Sequence, residues 1–311
     1  MKGCKMRGPS ETVGASTESR RGNRIGIFLI VVSTIAWSSG GLFVRLLPYD
    51  AWTIILWRGV FASIFIGSFV LFKLGPGMVG AIRNLGAVGA LATVLSTATI
   101  TQFIFAFQHT TVANAMTIYA ALPFLTAGIS YLWLRERPSV PTLFASGIAL
   151  VGIVIMFGPA SMGLRIGDLL AFSATSTTAL LTIIIRRNSH IEMLPVAFLS
   201  AALSTIIAVP FAGHPFDLTA QEYLVAAGFG LVPMTLGMML YVIGSALIPA
   251  TLSALIGTME APIGALWAWI GVGEVPAATT LIGGAIVMAG VFGRVLYEFR
   301  EERMRMRLAE T

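Results

Sequence analysis

The sequence predicts an all-α polytopic membrane protein, with about ten transmembrane helices in two inverted five-helix repeats. Three observations lead there. The 311-residue chain is 56% hydrophobic and 11% charged, with a mean hydropathy of +0.87, whereas soluble domains carry roughly 25% charged residues. Its apolar surface must therefore face lipid. The apolar residues fall into about ten membrane-length runs joined by short polar connections. And the chain repeats itself: Ala121-Leu122-Pro123, an apolar run and Arg135-Glu136-Arg137-Pro138 are echoed about 138 residues on by Met259-Glu260-Ala261-Pro262, an apolar run and Gly273-Glu274-Val275-Pro276. The same shift carries Ala145 and Gly152 onto Gly283 and Gly290, and a shift of about 141 carries Gly26 onto Gly167 and Arg45 onto Arg186. Five spans per half is an odd number, which forces the second half to insert upside down.

The segments follow in order. Residues 1–24 are rich in Ser, Thr, Gly and Arg and lack an apolar stretch, so they read as a disordered cytosolic tail. The first repeat covers 25–158, with spans at 25–47, 51–73, 84–107, 112–134 and 139–157. The second covers 166–297, with spans at 166–186, 192–212, 219–243, 249–271 and 276–297. Each run is close to the ~20 helical residues that cross a ~30 Å hydrocarbon core. Continuous apolarity selects helices over a barrel, whose strands alternate. Residues 298–311 mix Glu and Arg at helical spacing and read as a cytosolic tail that extends the last span. The tight hairpins at 48–50 and 135–138 leave little connecting chain. With the N-terminus inside, inner segments hold 17 of the 20 lysines and arginines and the outer ones only Arg45 and Arg165. Both termini are then cytosolic, in a plasma membrane (a bacterial inner membrane). A nine-span reading would put the C-terminal arginines outside, against the charge rule.

Polar residues inside the spans are the functional candidates. On the first span Thr34, Trp37, Gly41 and Val44 share a face, matched on the sixth by Thr175, Thr178 and Thr182. Ser96, Thr99 and Gln102 share one on the third, and Met238, Tyr241 and Ser245 one on the eighth. Hydroxyls can bond back to the i−4 carbonyl, so Ser and Thr alone mean little, while Gln102 and Tyr241 need partners. Arg58, seven residues into the second span, can snorkel outward; the alternative is anion binding in a cavity. Glu260 lies ~15 Å deep in the ninth span, on one face with Ser253, Gly257, Gly264, Trp267 and Gly271. An acid at that depth costs roughly 2.5–3.5 kcal/mol on insertion scales. It reads either as a substrate or proton site or as a protonated packing residue. Shifting its face back by 138 points to Tyr119. Pro123 and Pro262 each remove a backbone hydrogen bond mid-span, as hinges or as plain kinks. Glu136 and Glu274 close the two repeats at opposite faces and read as solvated end caps, with gating pairs as the alternative.

Other classes are poorly supported. The single cysteine, Cys4, permits no disulfide within one chain. No metal-ligand, nucleophile-elbow or ATP-binding motif is present, so the expectation is no enzyme, no metal and no cofactor. Basic residues sit at span ends and tails, which is not a nucleic-acid pattern. No basic voltage-sensor series argues for a gated channel.

Several short motifs stand in a fixed order along the two halves. In the first half these are Ala36-Trp37-Ser38-Ser39-Gly40 followed by Arg45, Trp57-Arg58-Gly59, Thr110 to Ala115, Leu122-Pro123, Arg135 to Ser139, and Gly147 to Gly152. In the second they are Gly167-Asp168-Leu169-Leu170, Glu260-Ala261-Pro262, Gly273-Glu274-Val275-Pro276, and Gly283 to Gly290. Together, in this order and spacing over about 25–297, they resemble the EamA-like proteins of the drug/metabolite transporter superfamily. The resemblance implies ten helices in two inverted repeats around a central cavity, in a family that mostly moves amino acids and other small metabolites, often outward. Two departures stand out: the family's Gly-Glu before the fifth span reads Arg135-Glu136, and its Glu-Pro in the ninth is interrupted by Ala261. The expected function is secondary export of a small polar metabolite or amino acid by alternating access around a midplane cavity, with protons as the candidate coupling ion. Uptake in the same fold is the first alternative and a non-transporting membrane scaffold or sensor the second. A homodimer is compatible with the sequence, because lipid-facing and dimer-facing residues look alike. A desolvated Glu260 is disfavoured in its charged form, which makes it the candidate to exchange a proton for substrate.

Overall fold

The computed structural model describes residues 9–135, 140–157, 165–188, 193–248, 253 and 256–309. Among these every regular element is a helix. In the first half they are α1 (Pro9–Ser38), α2 (Gly40–Leu46), α3 (Ala51–Leu74), α4 (Met78–Asn84), α5 (Gly86–His109), α6 (Val112–Tyr119), α7 (Leu122–Leu134) and α8 (Val140–Phe157). The second half has α9 (Ile166–Arg187), α10 (Met193–Ala208), α11 (Ala220–Phe229), a π-helical stretch over Gly230–Gly237, α12 (Met238–Ser245), α13 (Glu260–Val272) and α14 (Ala278–Ala309).

Six of the described stretches are long and apolar enough to cross a membrane, and a seventh joins them if α6 and α7 count as one bent span. The structure runs α1 back to Pro9, into the segment read from sequence as a disordered tail. Proline is tolerated at a first helical position because its missing N–H would have no intrahelical partner there. At the other end α14 continues through 298–309.

The helices pack as a two-fold arrangement. The second and seventh predicted spans pair as α3 on α10, the fifth and tenth as α8 on α14, and the fourth and ninth as α6 on α13. The third packs on the sixth (α5 on α9), and its counterpart, the eighth on the first, appears as α12 on α1. Close backbone approaches repeat with the sequence. A Cβ at Gly167 would meet the backbone of His109 and Thr110 within 2.7 Å, and one at Gly26 would meet Ile248 and Leu247 within 2.8 Å. Leu247 and Ile248 stand 138 residues after His109 and Thr110. Likewise Gly152 faces the Gly283 carbonyl and Gly290 the Ala145 carbonyl. Small residues at such crossings let helices touch where lipid offers no hydrophobic drive to associate.

Large apolar side chains such as Phe72, Leu132, Phe144, Ile206, Leu224 and Ile270 are exposed around the bundle, as a lipid-facing surface requires. The largest buried cluster, including Val44, Ile54, Ile55, Ile104, Phe107, Val112 and Ile118, lies toward the end that carries Arg45. Side chains cap the helices at that end. Asp50 accepts from the Thr53 amide at 3.0 Å, Thr111 from the Asn114 amide at 3.1 Å, and Thr219 forms a capping box with Glu222.

Candidate functional site

Both broken spans open onto the interior. The α6–α7 pair bends by 41° at Ala120–Ala121; 138 residues later the chain turns again at Thr258–Met259, where α13 begins. Pro123 and Pro262 stand just beyond the two breaks, as the second residue of α7 and the third of α13. Neither ring points into the interior, since both prolines are exposed. Their effect is on the backbone: Pro123 cannot donate to the carbonyl of Tyr119 four residues back. Tyr119 therefore ends one half-helix, and Glu260 starts the other.

Between these breaks lies a cavity of about 240 Å³, lined by side chains from both halves. Of the residues singled out from sequence, Trp37, Arg58, Tyr119, Thr178 and Glu260 line it. Counting at 1.5 Å per residue from the Arg45 end, Arg58 is about 10 Å deep and Glu260 about 18 Å. The site is thus well inside the bundle.

The snorkelling expectation for Arg58 does not hold. Its side chain is 1% exposed. Its guanidinium reaches Met234 Sδ at 3.0 Å and, weakly, Ser204 Oγ at 3.4 Å, with the Phe229 ring centroid 5.7 Å away. Nε has no partner. The cause is local: the span packs its Arg58 face on α10 and on the π-helical stretch instead of on lipid. That stretch contains Pro233, and its widened turn is closed by Thr235 Oγ1 donating to the Gly230 carbonyl at 2.9 Å. Such π-bulges shift side-chain register and recur at functional sites. The Gly237 carbonyl accepts from Ser33 Oγ at 2.6 Å, and the absence of a side chain there makes room for Trp37, whose ring packs 4.9 Å from Tyr241.

Three sequence candidates lie outside the cavity lining. Gln102 accepts from Thr177 Oγ1 at 3.3 Å, tying α5 to α9. Tyr241 packs its ring on Trp37, which lines the cavity. Trp267 has a buried indole N–H without a hydrogen-bond partner among the described residues. Sequence reasoning missed the apolar wall: Ile100, Phe103, Ile104 and Phe107 from α5, with Met116, Phe229 and Met234. The i, i+4 spacing of Phe103 and Phe107 marks one face of α5, but a phenylalanine face reads equally well as lipid-facing. Thr99, on the face flagged with Gln102, does line the cavity, and its hydroxyl has no partner. No group of three or more His, Cys, Asp or Glu among the described residues could hold a metal ion.

One end of the bundle is laced shut above the cavity. Arg45 Nε donates to Glu274 Oε2 at 2.8 Å, and its Nη2 donates to the Thr110 carbonyl at 2.8 Å. Glu274 Oε1 accepts from the Val112 amide at 2.6 Å. Thr110 also donates to Asp168, and Thr280 to Asn114. A second lattice links Trp57 to the Pro215 carbonyl, Tyr49 to Glu222, and Gln108 to the Tyr49 carbonyl. Glu274 therefore pairs with both Arg45 and the Val112 amide, where the sequence favoured a solvated cap; Glu136 lies outside the described residues.

This frame has a name. The EamA-like transporter family matches the chain twice, over residues 24–158 and 165–296. The chain belongs to the EamA-like transporter family. The two matched units coincide with the two halves of the packing symmetry. A relative from Archaeoglobus fulgidus, named an uncharacterized transporter, is 25% identical over 272 residues, covering 86% of this chain and 95% of the relative. A solved structure, titled only as the crystal structure of a protein, superposes with a TM-score of 0.61 at 18% identity, covering 92% of this chain and 99% of that one. That likeness concerns the fold alone. The membership makes this EamA-like chain a multi-pass membrane transporter, with a small-molecule cargo and a lipid surround.

Proposed function

We propose that the chain is a secondary active exporter of a small polar metabolite, amino acids included, that works by alternating access around the cavity between the two broken spans. In this reading ten spans form two inverted repeats, both termini are cytosolic, and the protein sits in the plasma membrane, a bacterial inner membrane. One observation carries it: a cavity inside an apolar bundle, lined from both halves, holds a cation at Arg58 and an acid at Glu260 beside half-helix ends. Intramembrane ionisable residues facing a cavity mark substrate and ion paths, and discontinuous helices near the midplane are how secondary transporters build such sites. The lattice from Arg45 to Glu274 closes the end that the lysine and arginine asymmetry assigns to the outside. The structure is then that of a carrier shut toward the exterior.

Glu260 is the coupling residue of this reading, exchanging a proton for cargo as the ends open in turn. Purified protein in proteoliposomes, tested on a broad amino-acid and metabolite panel with and without an imposed pH gradient, decides it. Concentrative transport driven by the gradient is expected, and no transport of any panel member sinks the proposal. In Glu260→Gln the gradient-driven component should vanish while energy-independent exchange persists. Undiminished pH-driven transport in that variant would leave Glu260 a packing residue.

A further inference from the structure

We infer that Arg58 and Thr99 form an anion subsite, and that the cargo of the cavity is a monocarboxylate with a compact apolar body. This rests on the transport reading for the word cargo, but not for the binding it requires.

Arg58 carries more charge and more donors than its surroundings satisfy. A guanidinium is charged at any physiological pH and presents five donors in a fixed fork. Arg58 is fully buried, yet among the described residues its polar and ring partners are a thioether sulfur, a long bond to a serine hydroxyl and the face of Phe229. The Ser204 hydroxyl already donates to the Ala201 carbonyl at 2.8 Å. Among the described residues the only ion pairs are Arg45 with Glu274 and His214 with Asp217, so no carboxylate compensates Arg58. Buried charges are normally paired, and an unpaired one is retained only where it has a task. A structural arginine in a bundle core would be expected to tie carbonyls or an acid together, and Arg58 ties neither.

The second unsatisfied group is Thr99. Every other threonine on the described part of α5 returns its hydroxyl to the i−4 carbonyl, as Thr93, Thr97 and Thr101 do at 2.9 Å. Thr99 does not; its buried oxygen has no partner, and the residue lines the same cavity as Arg58. One fork plus one hydroxyl suits a planar monoanion, for which arginine is the preferred ligand. A phosphate dianion would need further donors, and the remainder of the wall supplies few: apart from Trp37, Tyr119, Thr178 and the acid Glu260, side chains such as Ile100, Phe103, Phe107, Met116 and Phe229 make it apolar and largely aromatic. The volume sets the size. An apolar cavity of about 150 Å³ accommodates benzene, so 240 Å³ admits a six-membered ring with a short acid arm and excludes a long acyl chain. A membrane fatty acid carries the same head group, and chain length separates the two sources.

The test is equilibrium dialysis of the full-length protein in nanodiscs with three isosteric probes: 3-phenylpropanoate, its primary amide and 3-phenylpropylammonium, with palmitate as a fourth. The carboxylate should bind about 10- to 100-fold more tightly than the amide, the worth of a hydrogen-bonded charge, and palmitate should bind worst; in Glu260→Gln, which removes the acid of the same cavity, the ammonium should bind as poorly. In Arg58→Gln the advantage of the carboxylate over the amide should vanish. Thr99→Val removes the free hydroxyl without a charge change and should weaken the carboxylate alone by a few-fold. Equal affinity for carboxylate and amide in the unaltered protein overturns the inference, and needs no variant to fold. Preference for palmitate overturns the size argument and makes the site a lipid site. Tight carboxylate binding with no transport of any solute would refute the transport reading and leave the subsite standing. Transport of neutral or cationic solutes with no carboxylate preference would do the reverse.

Discussion

Cutting the clasp between Arg45 and Glu274 should let the closed end open. Glu274→Ala removes the acceptor for both Arg45 Nε at 2.8 Å and the Val112 amide at 2.6 Å, while Arg45 keeps its bond to the Thr110 carbonyl. Fully exposed ion pairs contribute about 0–1 kcal/mol, and a hydrogen bond to a charged group about 1.5–3 kcal/mol. The Arg45 side chain is 28% exposed and that of Glu274 16%, so solvent screens part of the attraction. A loss of about 2 kcal/mol follows for the closed form, because these bonds are made only when the segments meet. At 1.4 kcal/mol per decade this shifts the balance toward opening by about thirtyfold. The readout is thiol accessibility. In a Cys4→Ser background a single cysteine replacing Phe103, on the cavity wall, is exposed to a membrane-impermeant maleimide from the Arg45 side. Labelling should accelerate by an order of magnitude in Glu274→Ala and less in Glu274→Gln, whose amide oxygen still accepts from Val112. Arg45→Ala combined with Glu274→Ala should be far from additive, since the two residues act through one contact. Unchanged labelling in Glu274→Ala, with the protein folded, refutes the reasoning.

Three further outcomes follow from the geometry. Loss of solvent around Asp50 favours its neutral form, but bonds from Thr53 and from the Gly213 and Trp52 amides outweigh this and hold the carboxyl below its ordinary range; its contribution is complete above that range and fades as pH falls through the lowered value. Asp50→Ala should therefore cost about 0.5–2 kcal/mol at neutral pH and less in acid, read as a shift of the thermal midpoint at two pH values. Gly152→Leu must drive a side chain into the Gly283 carbonyl, 2.6 Å from its Cβ, and should destabilise by at least the 1–3 kcal/mol of an overpacked core, while Gly147→Leu, with nothing within 4 Å, should leave the midpoint unchanged. A reporter fused after Thr311 should signal cytosol and one inserted at Phe216 the exterior; the opposite pattern overturns the orientation.

The repeat was legible because it is written twice. Proline-marked breaks, the glycine crossings at Gly26 and Gly167, and the match of Gly152 with Gly290 all survive as geometry. What the sequence concealed has identifiable physical causes. Span lengths were read from apolar runs, which do not register a break at Ala120–Ala121 that leaves composition unchanged. The π-helical turn around Pro233 alters side-chain register without altering hydropathy, so neither Met234 nor its contact with Arg58 followed from a 3.6-residue period. Gln102 and Tyr241 looked like cavity residues because they are polar, yet each satisfies its polarity or its ring against a neighbouring helix. Depth alone did not separate a snorkelling arginine from a buried one; that depended on which helix covered it.

The charges obey a different rule from the frame. At 138 residues from Arg58 stands Val196, and at 141 stands Leu199; 138 residues before Glu260 stands Leu122. The helices are duplicated, and these two cavity charges are not. A symmetric site would set two guanidiniums or two carboxylates around one cavity, and like charges in a low-dielectric interior repel strongly. One of each sign, placed on inequivalent helices, gives the cavity a cationic wall at Arg58 and an acidic one at Glu260 without that penalty. A two-fold frame can still exchange the roles of its halves, since the crossings that hold it are the same in both, while the charges stay fixed on α3 and α13 and present different faces to whatever lies between them. The fold is therefore found by looking for what repeats, and the site by looking for the charged residues that break the repeat.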